Sequence, residues 1–162
     1  MISISKKQQL LYKIVKTNKI SSIAKVIEEG ALVNDPVSSN GMTALHHAAS
    51  KGNSDGVTIL IDNGADVNLL DNTDRTALHF AAADGTSVEA VETLINAGAD
   101  INAKTTGGDT PLMKAAIFNQ AEVMEFLIEK GASVGEQNNC GDTALDIAQS
   151  NNSETISKLL NC

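Results

Sequence analysis

The chain has 162 residues, of which 42% are hydrophobic and 2% aromatic, and its formal net charge is -8 at pH 7. This apolar share excludes a disordered chain and suits one compact domain or about five units of a short repeat. The acidic balance argues against a nucleic-acid binder, because such proteins present a basic face to phosphates. With one Tyr, three Phe and no Trp, the core must consist of small aliphatic side chains, which implies close helix packing.

The charges are unevenly divided along the chain. Six of the twelve basic residues precede the first acidic one, Glu28, so residues 28–162 carry 6 basic and 20 acidic residues, a net charge of -14. We interpret the basic end as lysines that solvate a terminal unit, with a membrane or RNA contact as the alternative. The acidic body predicts a protein partner that presents a basic patch and associates more slowly as the salt concentration rises.

The sequence carries no sign of export or membrane insertion. The N-terminal segment MISISKKQQLLYKIVK lacks the apolar stretch of a secretory signal, and no apolar run approaches the ~20 residues that cross a bilayer. The two cysteines, Cys140 and Cys162, are too few for a disulfide framework or a metal cluster of their own. We therefore expect a soluble protein without membrane contact, in the cytoplasm or the nucleus.

In chain order, the first predicted helix lies near residues 10–17, and it leads to the segment EGALVN at residues 29–34. Four stronger copies of a helix start follow, spaced 33, 34 and 33 residues apart: TALHHAA (43–49), TALHFAA (76–82), TPLMKAA (110–116) and TALDIAQ (143–149). Three of them are followed by a second landmark: NGADVN (63–68), AGADIN (97–102) and KGASVG (130–135). A period of this length is the signature of a stacked repeat.

Each unit is interpreted as a pair of helices. A Thr before an apolar stretch can cap a helix by accepting a backbone N–H bond, which contributes about 1 kcal/mol relative to Ala. Paired alanines let neighbouring helices approach, and Gly52 and Gly85 suit a left-handed stop after the first helix. Val57, Leu60 and Ile61 then form one apolar stripe on a second helix. Turn-forming segments are predicted to make hairpin-like loops between units: DNTD (71–74), TTGGD (105–109) and NNCGD (138–142).

These residues closely resemble the ankyrin repeat, whose pattern runs roughly GxTPLHxAAxxGxxxxVxxLLxxGADVN. The resemblance covers the chain from about Leu10 to its end. It implies an all-α solenoid of five helix-turn-helix units joined by hairpin-like loops, in a single domain over residues 1–162. The units are approximately residues 6–37, 38–70, 71–104, 105–137 and 138–162, and the first and last are polar caps. Departures from the pattern are Asp74 in place of Gly, Asn119 and Asn152 in place of the Gly after the first helix, and Met113 and Asp146 in place of His.

No pattern in the sequence indicates catalysis, a cofactor or a metal site. His46 and His79 occupy identical repeat positions, so we expect each to hydrogen-bond the local backbone or the neighbouring loop. His47 lacks a Cys or His partner at ligand spacing. The pair Gly107 and Gly108 lacks the Lys-Ser/Thr of a phosphate loop, and no serine lies in a nucleophile elbow. We therefore expect no enzyme activity and no cofactor.

The resemblance also implies a function. Ankyrin-like proteins contact partners through a concave surface formed by loop tips and the exposed sides of the first helices. We therefore expect a protein–protein interaction module, such as a scaffold, adaptor or inhibitor, that is a monomer on its own. The alternative is an assembly chaperone or regulatory subunit of a larger complex. By alignment, the predicted partner-binding residues are Met42, Lys51, Arg75, Asp84, Asp109, Ile117, Phe118 and Asp142.

Two of these residues are large and apolar. Ile117 and Phe118 occupy positions that the repeat normally leaves exposed, and aromatic anchors supply much of the binding energy of an interface. They are predicted to form a hot spot, with the alternative that Phe118 folds back over a neighbouring unit.

Two asparagines are candidate modification sites. Asn68 and Asn102 close the ADVN and ADIN segments. In proteins that this sequence resembles, that asparagine can be hydroxylated by an asparaginyl hydroxylase. The alternative role is a hydrogen bond within the turn.

Overall fold

The computed structural model describes residues 6–84 and 87–151, with Asp84 described by its backbone alone. Over these residues the chain is helical, with one 3-10 turn at Ile20–Ser22 and no strand. The predicted all-α class is therefore confirmed. Gly85, Asn152 and Cys162 lie outside the described residues. The helices are α1 Lys6–Lys16, α2 Ile23–Glu28, α3 Ala44–Ala49, α4 Ser54–Asp62, α5 Ala77–Asp84, α6 Val88–Asn96, α7 Pro111–Ile117, α8 Ala121–Glu129 and α9 Ala144–Ser150.

The helices stack in two layers. The first helices of the units, α1, α3, α5, α7 and α9, pack side by side, and the second helices α2, α4, α6 and α8 form the other layer. Buried leucines occupy equivalent positions in successive units: Leu45, Leu78 and Leu112 in the first helices and Leu60, Leu94 and Leu127 in the second. The paired alanines of the first helices are buried as well. Because no unit can bury its apolar stripe alone, this continuous core holds neighbouring units together.

Two of the predicted threonine caps, at the starts of α7 and α9, make the expected bond. Thr110 Oγ1 accepts the N–H of Met113 at 3.3 Å, and Thr143 Oγ1 accepts the N–H of Asp146 at 3.3 Å. The Asp146 carboxylate in turn accepts the N–H of Thr143 at 2.8 Å. This reciprocal arrangement is a capping box, which satisfies two of the backbone N–H groups that every helix start leaves without an intrahelical partner.

The departures from the ankyrin pattern preserve the backbone conformation that the pattern requires. Asn119 has φ +58° in the turn where Gly52 has φ +57°. Asp74 has φ +58° at the hairpin tip where Gly108 has φ +80°. Asn and Asp are the non-glycine residues that tolerate this left-handed region best. The substitutions therefore change the side chain and leave the turn in place.

The hairpin tip also limits side-chain size. A Cβ atom at Gly108 would lie 2.8 Å from the backbone nitrogen of Asn139 in the next hairpin, which is closer than real contacts allow. Asp74 carries a side chain at the equivalent position, and its carboxylate accepts the Thr106 hydroxyl of the next hairpin at 2.9 Å. One tip therefore needs a glycine, whereas the other uses a polar contact.

Candidate interaction surface

The loops that join the units are closed hairpins. A backbone bond runs from the first residue of the hairpin to the fifth in three of them: Asp71 to Arg75 at 3.0 Å, Thr105 to Asp109 at 3.1 Å and Asn138 to Asp142 at 3.0 Å. The first residue adds side-chain bonds of its own. Asp71 Oδ1 accepts the N–H groups of Thr73 and Arg75 at 2.9 and 3.0 Å. The hairpins therefore hold residues 75, 109 and 142 on a defined backbone.

Neighbouring hairpins are also bonded to each other. The donors and acceptors recur one unit apart, each pair at 3.0 Å: Asn72 N–H to Asn40 O, Thr106 N–H to Thr73 O, and Asn139 N–H to Gly107 O. Each tip is thereby fixed relative to the next. The hairpins and the first helices behind them, α3, α5, α7 and α9, form one surface, which is called the first-helix surface below.

Two histidines tie the first helices to the following hairpins. His46 Nδ1 accepts the N–H of Thr43 at 3.1 Å, so the ring proton lies on Nε2, which donates to the carbonyl oxygen of Arg75 at 3.0 Å. His79 repeats this arrangement with Thr76 and with the carbonyl oxygen of Asp109 at 3.1 Å. Burial lowers the pKa of both rings, that of His79 to about 4. Both are therefore neutral at pH 7, in the structural role that their repeated position predicts.

A cleft of about 260 Å³ opens on the first-helix surface between the third and fourth units. Its walls are Arg75, His79, Phe80, Ala83, Lys114 and Phe118. The Phe80 and His46 rings are nearly perpendicular, with their centroids 5.6 Å apart, and the guanidinium carbon of Arg75 lies 4.4 Å from the centroid of the Phe80 ring. Phe80 is thus held between a histidine and an arginine, since a guanidinium on an aromatic face is attracted to it.

Both cations of the cleft are paired with aspartates of the hairpins. Arg75 donates from Nε and Nη2 to Asp71 Oδ2 at 2.9 and 2.6 Å, and Lys114 donates to Asp109 Oδ2 at 2.7 Å. Burial by itself would raise the pKa of Asp71, but the hydrogen bonds from Arg75 and Thr73 lower it to about 2. The pKa of Asp109 is likewise lowered, because bonds from Lys114 and Asn138 outweigh its burial. Both carboxylates are therefore ionised at neutral pH.

The comparisons with known proteins agree with this architecture. A family model of ankyrin repeats in three copies matches residues 10–105 and 78–162. The chain belongs to the ankyrin repeat family. Over 94 residues, or 58% of its length, it is 39% identical to the neurogenic locus Notch protein of Drosophila melanogaster, and this match spans 4% of that protein.

Ankyrin repeats are protein–protein interaction modules and not a class of enzymes, so the chain has a fold that binds other proteins. Within the described part of the chain, no helix is long and apolar enough to cross a membrane. The same residues include no group of three or more His, Cys, Asp or Glu side chains that could hold a metal ion.

Some of the predicted partner-binding residues lie in the cleft and others lie outside it. Arg75 and Phe118 line the cleft, and Asp109 reaches it through Lys114. Ile117 and Phe118 are 40% and 56% exposed, so Phe118 does not fold away under a neighbour. Two further predicted residues, Lys51 and Asp142, are exposed and do not line the cleft, whereas the side chain of Asp84 lies outside the described residues. Whether these residues bind a partner stays a prediction.

The prediction that Met42 is an exposed partner-binding residue is wrong. Alignment nominated it as an exposed loop residue, but it is only 6% exposed. Its hairpin is closed by a bond from the Val37 N–H to the Met42 carbonyl at 2.8 Å, a span of six residues where the later hairpins use five. The aligned residues Arg75, Asp109 and Asp142 carry charges that favour contact with water, whereas Met42 is apolar and its side chain is buried.

Sequence reasoning missed two residues that form the cleft. Phe80 and Lys114 belong to the repeated TALHFAA and TPLMKAA segments, yet they line the cleft beside Arg75 and Phe118. One signal was available. The residue after TALH or its counterpart varies from unit to unit, and a variable position in an otherwise regular helix marks its exposed side: His47, Phe80, Lys114 and Ile147.

The asparagines that close the ALVN, ADVN and ADIN segments bridge successive units. Asn68 Nδ2 donates to the carbonyl of Gly98 at 3.0 Å, and its Oδ1 accepts the N–H of Asp100 at 2.8 Å. Asn34 makes the same pair of bonds one unit earlier, and Asn102 Oδ1 accepts from Ser133 one unit later. These bonds join units and do not stay within one turn. Hydroxylation of Asn68 and Asn102 stays a prediction, which mass spectrometry of the native protein would test.

Proposed function

We propose that this protein is an interaction module that captures a partner protein on its first-helix surface. The exposed aromatic ring of Phe118 beside the cleft carries the proposal. An aromatic side chain that is 56% exposed gains free energy when a partner covers it, and interfaces draw much of their energy from a few such anchors. In the described part of the chain, five other large apolar residues are also exposed, but none of them lines the cleft: Leu10, Leu32, Leu70, Ile117 and Val134.

The rigidity of the surface supports this proposal. Hairpin-to-hairpin bonds and the His46 and His79 bridges fix the positions of the side chains before a partner arrives. A surface that is already ordered loses little conformational entropy on binding, and more of the contact energy then appears as affinity. The role in the cell would be that of a scaffold, adaptor or inhibitor, in the cytoplasm or the nucleus.

Affinity capture from a lysate of the native cell tests the proposal. We expect wild-type protein and Leu32→Ala to retain the same partner, because Leu32 is an exposed leucine outside the cleft. Phe118→Ala should lose it while melting at an unchanged temperature. A sharp fall in melting temperature for Phe118→Ala would show a structural role, and unchanged capture would place the binding surface elsewhere.

The same capture distinguishes the alternative function. A partner retained in fixed stoichiometry through gel filtration, as part of a larger assembly, would favour an assembly chaperone or regulatory subunit. The association rate of the purified pair, measured at several salt concentrations, tests the basic patch predicted for the partner. The rate should fall as salt rises if the acidic body steers association, and a rate independent of salt would contradict it.

A further inference from the structure

The cleft between the third and fourth units is lined by cations, although the body around it is acidic. Residues 28–162 carry 20 acidic against 6 basic residues, yet two of those six, Arg75 and Lys114, line this one cleft. Its remaining walls are apolar or neutral, and they include the rings of Phe80 and Phe118. The total charge therefore does not describe what this part of the surface would bind.

The paired aspartates leave hydrogen-bond donors of both cations unused. A guanidinium has five N–H donors and an ammonium has three. Arg75 meets Asp71 through Nε and Nη2, and no described residue accepts from its Nη1 group. Lys114 meets Asp109 through one bond. Both cations therefore keep donors for an incoming carboxylate while their bonds to the aspartates remain.

Both aspartates also accept hydrogen bonds from other groups of the protein. The side chain of Asp71 is fully buried and its Oδ1 accepts three bonds, from the N–H and hydroxyl of Thr73 and the N–H of Arg75. Asp109 Oδ1 accepts from Asn138 at 3.0 Å. The Arg75 side chain is 34% exposed and that of Lys114 19%. In both ion pairs the cation is partly exposed and keeps hydrogen-bond donors that the aspartate does not use.

We propose that this cleft binds a protein segment in which a large apolar side chain lies close in sequence to an Asp or Glu. The apolar side chain contacts Phe118, Phe80 and Ala83, and the carboxylate accepts bonds from Arg75 and Lys114. This inference rests on the interaction module proposed above and names the chemistry of its partner at one site. It differs from the basic patch that the net charge predicts, which would meet the acidic body away from the cleft.

The size of the cleft favours a side chain over a free metabolite. At about 260 Å³ it falls below the roughly 300–1,000 Å³ of pockets that enclose small-molecule ligands. A peptide segment needs only one anchor to enter and leaves its backbone on the hairpins beside the cleft. The charge of the whole body opposes a nucleic acid, whose phosphates would be repelled outside the cleft.

Titration of the isotope-labelled protein with four capped heptapeptides, followed by NMR, tests the proposal. The peptides GSELEGS, GSQLQGS and GSKLKGS carry acidic, neutral and basic residues on the two sides of Leu, and GSEAEGS lacks the apolar anchor. We expect GSELEGS to shift the amides of Phe80, Ala83, Lys114 and Phe118 in a saturable way, and to bind about threefold to fivefold more tightly than GSQLQGS, the contribution of an exposed ion pair. GSKLKGS and GSEAEGS should bind more weakly still.

Two variants with opposite expected signs separate binding from folding. Phe118→Ala should abolish the saturable shift, whereas Ile117→Ala, the adjacent exposed residue outside the cleft, should not. Asp109→Asn removes the counter-ion of Lys114 while keeping an oxygen for Asn138, so it should tighten GSELEGS by about twofold to threefold. A variant that merely loosens the fold would weaken binding and would not tighten it.

Several results would overturn the proposal. Equal or tighter binding of GSKLKGS would do so, as would no saturable shift with GSELEGS up to about 5 mM, a concentration near the weakest useful affinity. A shift of the cleft amides with protein concentration alone would assign the cleft to a second copy of the chain. If partner capture depends on Phe118 but the acidic peptide shows no preference, the interaction module stands and the cleft chemistry is wrong. If the acidic peptide binds the cleft but partner capture does not depend on Phe118, the cleft chemistry stands and the proposed capture of the partner through Phe118 is wrong.

Discussion

Nε2 of His79 lies 3.1 Å from the carbonyl oxygen of Asp109, 30 residues further along the chain, and joins the first helix of the third unit to the hairpin of the fourth. On the opposite side of the ring, Nδ1 accepts the N–H of Thr76 at the start of the same helix. One buried side chain therefore completes a helix cap and links two units. His46 does the same between the second and third units.

Replacement of this histidine by a hydrocarbon should destabilise the repeat. We expect His79→Leu to lower the free energy of unfolding by about 2 kcal/mol, because it leaves the Thr76 N–H buried without an acceptor and removes the link to Asp109. His47→Leu is the matched control. Nε2 of His47 is buried and has no hydrogen-bond partner among the described residues, so this change should leave stability unchanged or raise it by about 1 kcal/mol. Urea denaturation measures both, and equal losses would contradict the bridge.

Acid should weaken the fold in the range where these histidines titrate. Burial lowers the pKa of His79 to about 4, and burial together with the charges of His46, Lys51 and Lys16 lowers that of His47 to about 4. An unfolded histidine titrates near 6.5, so between pH 6.5 and 4 the unfolded state binds more protons than the folded state. The free energy of unfolding should therefore fall as the pH falls through this window, and the full effect of His79 is of order 3 kcal/mol.

Urea denaturation at several pH values measures this dependence. The His79→Leu protein lacks one of the titrating groups, so its stability should change less steeply between pH 6.5 and 4 than that of the wild type. Asp71, with its pKa lowered to about 2, contributes stability that is lost at lower pH, as the pH falls from about 4 towards 2. A wild-type curve that is flat between pH 6.5 and 4.5 would count against buried neutral histidines.

The positive φ of Asp74 predicts a graded response to substitution. Asp74→Ala places a Cβ-bearing residue without a local polar group at φ +58° and removes the bond from Thr106, so it should cost about 1–2 kcal/mol. Asp74→Gly relieves the backbone and loses the bond, and it should be close to neutral. Asp74→Asn keeps both features and should match the wild type. Thermal melting ranks the three variants, and Ala equal to Gly would show that the conformation imposes no cost.

The asparagine bridge between the second and third units is open to a similar test. Asn68→Asp keeps the acceptor for the Asp100 N–H but loses the donor to Gly98, and it adds a negative charge near Asp66 and Asp100. We expect a loss of about 1 kcal/mol, larger at low salt because like charges repel. Asn68→Ser removes the bridge without adding charge, so a difference between the two variants that vanishes in high salt isolates the repulsion. Wild-type stability in both would show that the bridge contributes nothing.

The regular features of the fold were open to prediction because they repeat. Thr110 and Thr143 cap helices at the positions that their spacing indicated, and His46 and His79 bond the following loop as their shared position predicted. A residue that recurs every 33 or 34 positions meets the same neighbours each time, since each unit contacts only the units beside it. The contacts of a residue at one such position therefore predict those of its counterparts in the other units.

The candidate site was harder to predict because it depends on the positions that vary. Ile117 and Phe118 were recognised as exposed apolar residues, but the sequence could not show that Phe118 shares a cleft with Phe80 while Ile117 does not. The prediction for Met42 was wrong because this apolar side chain is buried at a position where the later units carry charged residues. An aligned position does not determine the exposure of a side chain with different chemistry.

The sequence by itself determined the repeat period, the helix pairs, the capping threonines and the acidic balance of the body. Each of these follows from local backbone preferences or from a pattern that every unit shares. Only the tertiary structure decided that Arg75 and Lys114 line one cleft with two aromatic rings, and that their aspartates accept further bonds from the protein. These groups come from different units, and their meeting depends on how the units stack, which the residues of any one unit do not encode.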